Sequence, residues 1–195
     1  MIIAGDGAKR RRAPSRFWCY YAVMSVPLDV FVVVAGPPGS GKTTLAGPLA
    51  AGLRLPLIAK DVIKEALMDV LGRPTSLDES RRLGRAAVMA MLSVAAASPG
   101  AVMDSAWLPY TLPLLRTLPG PLVEVRCVCP IEVARDRYQR RSRYRHPGHL
   151  DALRPPQELW NEWNSQPLGV GPVVTVDTAS AVDIQALAAA VRASL

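Results

Sequence analysis

The sequence predicts an α/β fold in which helices cover both faces of a parallel β-sheet. Short apolar segments rich in Val or Ile alternate along the chain with longer segments of helical pattern, and this alternation is typical of parallel sheets. The first apolar segment also runs directly into a glycine-rich turn, which a helical segment follows. With 195 residues, of which 50% are hydrophobic, the chain is long enough to bury the core of one such domain.

The pattern predicts five strands and five helices in alternation. The short apolar strand segments are residues 30–35, 55–58, 101–104, 122–128 and 173–176. The helical segments that separate and follow them are residues 42–53, 62–71, 78–97, 131–141 and 181–193. The sequence shows no internal repeat and no composition shift that would mark a second folded domain.

The N-terminal segment differs from the rest in its charge. The chain has a formal net charge of +7, and residues 1–23 contain five basic residues but one acid. We expect residues 1–23 to be a basic, disordered extension and residues 24–195 to be the folded domain, with Met24 as an alternative start. An apolar run near this boundary resembles a signal peptide, but Pro27 and Asp29 interrupt it, so we expect a cytoplasmic protein with no membrane span.

A phosphate-binding loop is predicted between the first strand and the first helix. Residues 36–43, GPPGSGKT, match the pattern G-x-x-x-x-G-K-[ST] at every fixed position. Glycines let backbone N–H groups close on phosphate oxygens, and the following helix directs its positive end at the same anion. Lys42 would reach the β- and γ-phosphates, and the Thr43 hydroxyl would ligate Mg²⁺. The residues expected to bind a nucleoside triphosphate are Gly36, Pro38, Gly39, Ser40, Gly41, Lys42, Thr43 and Thr44.

Two classes of nucleotide-hydrolysing protein fit the sequence poorly. A GTP switch would need Asn-Lys-x-Asp to recognise guanine, and neither Asn161 nor Asn164 begins that motif. A motor ATPase would place Glu after the Asp that ends an apolar strand, but Ser105 follows Asp104. Asp104 is therefore expected to hold Mg²⁺, through water, or to orient a substrate, because no adjacent carboxylate is present to activate water.

Transfer of the phosphate to an acceptor hydroxyl needs a carboxylate near the γ-phosphate, and Asp61 is the candidate. It follows the second predicted strand, whose carboxyl end opens on the same crevice as the phosphate loop. Asp61 suits two roles equally well, as a general base for the acceptor hydroxyl or as the N-cap of the next helix. Lys64 lies one helical turn further and would face the same way.

An arginine-rich segment is the candidate source of the cations that transfer requires. Six arginines but one acid lie between residues 135 and 145. Arg137, Arg141 and Arg145 are four residues apart, so they would share one helical face if the helix extends that far. We predict a lid that clamps phosphate, with a solvated helical face as the alternative. His146 and His149 have no carboxylate at ligand spacing, which disfavours a zinc site.

The acceptor pocket is predicted from residues 62–80 and 105–118. Trp107 in the second stretch is a candidate to stack on a ring of the acceptor, and the alternative is that it packs this loop on the core. The residues expected to bind the acceptor are Asp61, Lys64, Asp104 and Trp107.

Together these segments resemble the small P-loop kinases grouped with chloramphenicol phosphotransferase, polynucleotide 5′-kinase and the zeta-toxin sugar kinases. The resemblance covers about residues 28–192 and rests on five motifs. In chain order they are GPPGSGKTTLA, KDVIKEAL, VMDSAW, RYQRRSRYRHPGH and VTVDTA. It implies a three-layer P-loop NTPase fold with a five-stranded parallel sheet in the order 2-3-1-4-5 and an Arg-rich helical lid.

The resemblance also implies ATP and Mg²⁺ as cofactors, and roles for individual residues. Asp61 would be the catalytic base, Asp104 the carboxylate that orients substrate or Mg²⁺, and Arg137, Arg141 and Arg145 the lid arginines. Arg140 and Arg143 are additional to the family pattern, so the resemblance does not identify which arginine of the lid contacts the γ-phosphate.

The leading hypothesis is an ATP-dependent kinase that phosphorylates a hydroxyl of a small molecule such as an antibiotic, a sugar or a nucleoside. A nucleic-acid 5′-hydroxyl kinase is the first alternative, disfavoured because most of the excess positive charge lies in the extension. A nucleotide-binding regulatory module without transfer is the second. No membrane partner and no obligate protein partner is implied.

Overall fold

The computed structural model describes residues 29–150, 153–155, 160 and 166–195. The basic extension predicted for residues 1–23, the alternative start at Met24 and the asparagines Asn161 and Asn164 lie outside the described residues.

Five parallel strands form one sheet in the order β2-β3-β1-β4-β5. The strands are β1 (Phe31–Ala35), β2 (Leu57–Ala59), β3 (Ala101–Asp104), β4 (Leu122–Val128) and β5 (Val173–Asp177). The helices are α1 (Lys42–Leu53), α2 (Lys60–Leu71), α3 (Leu77–Ala96), α4 (Leu112–Leu115), α5 (Ile131–Ser142) and α6 (Ile184–Ala193). The predicted α/β class and the strand order 2-3-1-4-5 are therefore confirmed.

The central strand β1 is buried along its whole length because helices cover both faces of the sheet. On one face Val32 and Val34 belong to a core cluster with residues of α1 and α6, including Leu49 and Val191. On the other face Phe31 and Val33 belong to a cluster with residues of α3. A strand that is buried on both faces has a continuous run of apolar residues, and this run is why β1 could be predicted from the sequence.

Several element boundaries differ from the predictions by one to three residues, and those of α2 and α5 concern the site. Helix α2 begins at Lys60, directly after β2, so Asp61 lies inside its first turn. Helix α5 ends at Ser142, so it does not extend far enough for Arg145 to share a helical face with Arg137 and Arg141. Helix α6 begins at Ile184 because the Asp183 carboxylate caps it, accepting hydrogen bonds from two backbone N–H groups at 2.9 and 3.0 Å.

Within the described ranges, no helix combines the length and the apolarity that crossing a bilayer requires.

The two-sided core makes a prediction about stability. Leu49 is completely buried between the sheet and α6, so Leu49→Ala should lower the free energy of unfolding by about 2–5 kcal/mol. Leu71→Ala is the matched control, because Leu71 ends α2 with 68% of its surface exposed, and it should change that free energy by less than about 0.5 kcal/mol. Urea unfolding followed by circular dichroism measures both, and similar losses in the two variants would contradict the assignment of the core.

Candidate active site

The phosphate loop connects β1 to α1 and keeps a conformation that requires glycine. Gly36, Gly39 and Gly41 have φ angles of +139°, +75° and +86°. A Cβ on Gly36 would lie 2.5 Å from the Cys127 carbonyl oxygen of β4, so the strand behind the loop leaves no space for a side chain. The Lys42 ammonium donates to the carbonyl oxygens of Gly36 and Pro37 at 2.6 and 2.7 Å, which closes the loop on itself.

Asp104 lies beside this loop because its strand pairs with β1. It is the last residue of β3, in register with Val34 of β1, and 7% exposed. Burial raises the pKa of the Asp104 carboxyl. A hydrogen bond from the Thr43 hydroxyl and the charge of Lys42 act to lower this pKa, but burial has the larger effect. The adjacent Thr43 and Asp104 oxygens are hard ligands of the kind Mg²⁺ takes, so this pair fits that ion.

Asp61 is held by two cations and is not the N-cap of α2. Ala59 occupies the cap position, and no side chain caps this helix end. The two Asp61 carboxylate oxygens accept from Lys60 Nζ and from the Arg145 guanidinium, both at 2.7 Å. Burial raises the pKa of Asp61, but the charges of Lys60 and Arg145 outweigh burial and hold that pKa far below its ordinary value.

Residues 145–150, here named the docking segment, bind α2 through a row of acids. Those acids are spaced four residues apart, so they share one face of the helix. The pairs are Arg145 with Asp61 at 2.7 Å, His149 with Glu65 at 2.8 Å, and His146 with Asp69 at 3.1 Å. The sequence analysis missed these carboxylate partners of the histidines, although the spacing of the three acids in KDVIKEALMD was a visible signal.

One cavity of about 990 Å³ joins the phosphate loop to Asp61. Most of the predicted site residues line it, namely Pro38, Gly39, Gly41, Lys42, Thr43, Thr44, Asp61, Lys64, Asp104, Arg137, Arg141 and Arg145. Three do not. Gly36 and Ser40 form the inner side of the loop, where Ser40 is fully buried, and the indole N–H of Trp107 donates to the Val34 carbonyl oxygen at 2.9 Å. Trp107 packs against the core on a smaller cavity, as the alternative interpretation of this residue expected.

Comparison with known proteins assigns the family. No protein-family model matches the sequence, and no curated protein matches it. A solved structure from Chloroflexus aurantiacus j-10-fl, described as a "putative kinase", is 33% identical, covers 86% of this chain and 100% of its own, and superposes with a TM-score of 0.71. The chain belongs to the small P-loop kinases. It is therefore an ATP-dependent phosphotransferase that acts on a hydroxyl.

Two further solved structures share the kinase fold at lower identity. Shikimate kinase from Acinetobacter baumannii is 17% identical, with a TM-score of 0.55, and the match covers 85% of this kinase and 91% of that chain. A gluconokinase from Sinorhizobium meliloti 1021 is 22% identical, with a TM-score of 0.57 and coverages of 85% and 94%.

The three lid arginines of the kinase have different surroundings. Arg137 donates to the carbonyl oxygen of Thr178 at 2.9 Å, and the Thr178 hydroxyl donates to the Ser40 carbonyl oxygen at 2.6 Å, so this arginine joins the lid to the loop after β5. Arg145 binds Asp61. Arg141 is exposed in the cavity, with its guanidinium 6.0 Å from the ring of Tyr138, and its charge acts on both Lys42 and Asp104.

Helix α3 supplies a wall of the cavity, and the predicted pocket range 62–80 contained only the part of this wall that ends at Ser80. Ser80, Arg81, Gly84 and Arg85 line it opposite α2. Lys64 of α2 points at this wall and donates to the Ser80 hydroxyl at 2.7 Å. Lys64 is 6% exposed, and burial, followed by the nearby charge of Lys60, lowers its pKa to about 8.

A buried ammonium should make the kinase less stable than an apolar side chain would. We expect Lys64→Met to raise the free energy of unfolding at pH 7 by about 1–3 kcal/mol, because it removes a charge that is poorly hydrated in the folded state and keeps the packing of the stem. Arg82→Met, on the exposed side of α3, is the control and should leave that free energy within about 0.5 kcal/mol. Destabilisation by Lys64→Met in urea unfolding would show that the Ser80 hydrogen bond outweighs desolvation.

Proposed function

We propose that the chain transfers the γ-phosphoryl group of ATP to a hydroxyl of a small-molecule acceptor such as an antibiotic, a sugar or a nucleoside. The observation that carries this proposal is that Lys42 of the phosphate loop and Asp61 of α2 line one continuous cavity. Nucleotide phosphates on the loop and an acceptor hydroxyl at Asp61 would then share a space of limited volume, and proximity is the main requirement of phosphoryl transfer.

Asp61 would act mainly by orienting the acceptor. Each of its carboxylate oxygens binds one cation and keeps a second lone pair, which can accept a hydrogen bond from the acceptor hydroxyl. A carboxylate with so low a pKa is a weak base. In a loose transition state the acceptor hydroxyl loses its proton late. The hydroxyl oxygen therefore bonds to the γ-phosphorus while the bond from that phosphorus to the β-phosphate oxygen breaks, and the hydroxyl proton then passes to Asp61.

The nucleotide half of the site would use the phosphate loop and the lid. The loop N–H groups and Lys42 would bind the β- and γ-phosphates, and Thr43 and Asp104 would hold Mg²⁺, which supplies charge neutralisation to the transferring group. Arg141 would offset charge on the γ-phosphoryl group, because it is the lid arginine whose charge acts on both Lys42 and Asp104. Arg137 would position the loop at Thr178 against the nucleotide base.

The other interpretations have less support. A nucleic-acid 5′-hydroxyl kinase would need basic residues that continue outside the cavity as a track for the phosphate backbone, but Arg73 does not line the cavity and Arg116 donates to the Gly169 carbonyl oxygen. A regulatory module without transfer would have no use for a carboxylate oriented by two cations. We also propose that the chain falls in the group of chloramphenicol phosphotransferase and the zeta-toxin kinases, on the motifs at Asp61 and in the lid.

The first test replaces the acceptor carboxylate. Asp61→Asn should keep ATP affinity and lower the rate of phosphate transfer by about 10²- to 10⁴-fold, because the amide cannot take the proton and disrupts both ion pairs. The assay is ATP-dependent gain of one phosphate across a metabolite and antibiotic library, detected by mass spectrometry. A normal rate in Asp61→Asn would refute the role of Asp61.

The matched control for this test is Asp136→Asn. It makes the same chemical change on α5 and also removes an ion pair with an arginine, since Asp136 binds Arg140 at 2.9 Å. Asp136 is exposed and does not line the cavity, so this variant should transfer phosphate at the normal rate. A loss as large as that in Asp61→Asn would show that the assay responds to surface charge and not to the acceptor site.

The second test separates the lid arginines. Arg141→Met should lower kcat by about 10²-fold or more with little change in the KM for the acceptor, because it removes charge stabilisation that develops in the transition state. Arg140→Met is the control, since Arg140 is 77% exposed and paired with Asp136. Equal kinetics in the two variants would assign the phosphate contact to another arginine.

A further inference from the structure

The acceptor half of the cavity carries a marked excess of positive charge. This half is formed by α2, α3, the docking segment and Arg154. Its charged lining residues are the cations Lys60, Lys64, Arg81, Arg85, Arg145 and Arg154. Among the lining residues that the structure describes there, Asp61 is the one acid. Lys60 and Arg145 bind the two oxygens of Asp61, and Arg81 pairs with Asp78 at 3.3 Å, so the excess positive charge that a ligand could meet comes from Lys64, Arg85 and Arg154.

Lys64 is the most informative of these cations because it is buried. Its ammonium donates to the neutral Ser80 hydroxyl, and the carboxylate that acts on it, Asp61, is shared with two other cations. The charge of Arg154 also acts on Lys64 and lowers its pKa further. Burying cations close together costs free energy unless an anion joins them, and a cavity in front of them leaves room for that anion to come from a ligand.

We propose that the acceptor is itself an anion, a small molecule that carries a carboxylate or phosphate group near the hydroxyl that is phosphorylated. This inference rests on the proposed function, since it places the hydroxyl at Asp61. Residues three apart on a helix have Cβ atoms about 5–6 Å apart, so a hydroxyl at Asp61 and an anionic group at Lys64 belong to one compact molecule. Arg85 and Arg154 line the same cavity and would contribute further cations to the anion site.

The docking segment favours a small acceptor over a nucleic-acid strand. It closes the acceptor half from the α2 side through three side-chain pairs. The basic residues Arg73 and Arg82, which could extend a track for a phosphate backbone, do not line the cavity. The site therefore matches one anionic group more closely than a chain of phosphates.

The experiment measures binding and transfer with matched pairs of probes. The kinase, loaded with a non-hydrolysable ATP analogue, is titrated by calorimetry with glycerate and gluconate, with glycerol 3-phosphate and sorbitol 6-phosphate, and with the neutral polyols glycerol and sorbitol. We expect at least one anionic probe to bind about tenfold or more tightly than its neutral counterpart. Comparison of the two anionic series identifies which group, carboxylate or phosphate, the site takes.

Variants then assign the anion site. Lys64→Met and Arg85→Gln should each weaken the anionic probe by about tenfold and leave the affinity for the ATP analogue unchanged. Arg82→Gln, on the same helix as Arg85 but outside the cavity, should bind the probe normally. Because Arg85 is exposed, its variant tests the site even if replacement of Lys64 disturbs folding.

Three outcomes would overturn the inference: equal binding of neutral and anionic probes, no binding of any anionic probe, or tighter binding of a 5′-hydroxyl oligonucleotide than of every small anion. Parallel assays with ATP keep the two proposals distinct. Phosphorylation of a neutral polyol alone would support the proposed function and refute the anion site. Anion binding that depends on Lys64, without transfer to any probe or to any member of the metabolite and antibiotic library, would support the anion site and refute the proposed function.

Discussion

The site depends on the pairing of three parallel strands. Strand β3 lies between β1 and β2, and Asp104 at its end is in register with Val34 on one side and with Ala59 on the other. Because parallel strands end at the same edge, the phosphate loop after β1 and the first turn of α2 after β2 must start next to Asp104. Strand pairing alone therefore brings the phosphate loop, the first turn of α2 and Asp104 together, although they are distant in sequence.

Ion pairs position the acceptor side of the site, which strand pairing alone does not form. The docking segment carries Arg145, from 84 residues away, to Asp61, and the histidines that follow fix it to the next two turns of α2. His149 is 4% exposed at this contact, and burial, together with the charge of Arg145, lowers its pKa, so its hydrogen bond with Glu65 does not require a charged ring. The acceptor side is therefore organised by polar contacts, whereas the nucleotide side is organised by backbone geometry.

These two modes explain how much could be predicted from sequence. The fold class and α1 at residues 42–53 were predicted because a doubly buried strand and a phosphate loop have strong local patterns, whereas the strand order was implied only by the resemblance to small P-loop kinases. The contact of Arg145 with Asp61 was not predicted. Helix α5 ends at Ser142, before Arg145, and the contact joins residues that are far apart in sequence. Trp107 has the same local pattern whether it faces a ligand or the core. Arg85 was not assigned to the site because periodicity does not tell which neighbour a helix face meets.

The closed shape of the phosphate loop has a consequence for selectivity among anions. Lys42 already donates two short hydrogen bonds to loop carbonyls, so an arriving anion must displace strong internal contacts before it gains the ammonium. A lone sulfate or inorganic phosphate offers few oxygens in return. A polyphosphate tail engages the loop amides, the lysine and the helix terminus at the same time and recovers that loss. These internal hydrogen bonds of Lys42 thus favour a polyphosphate over a simple anion at the loop.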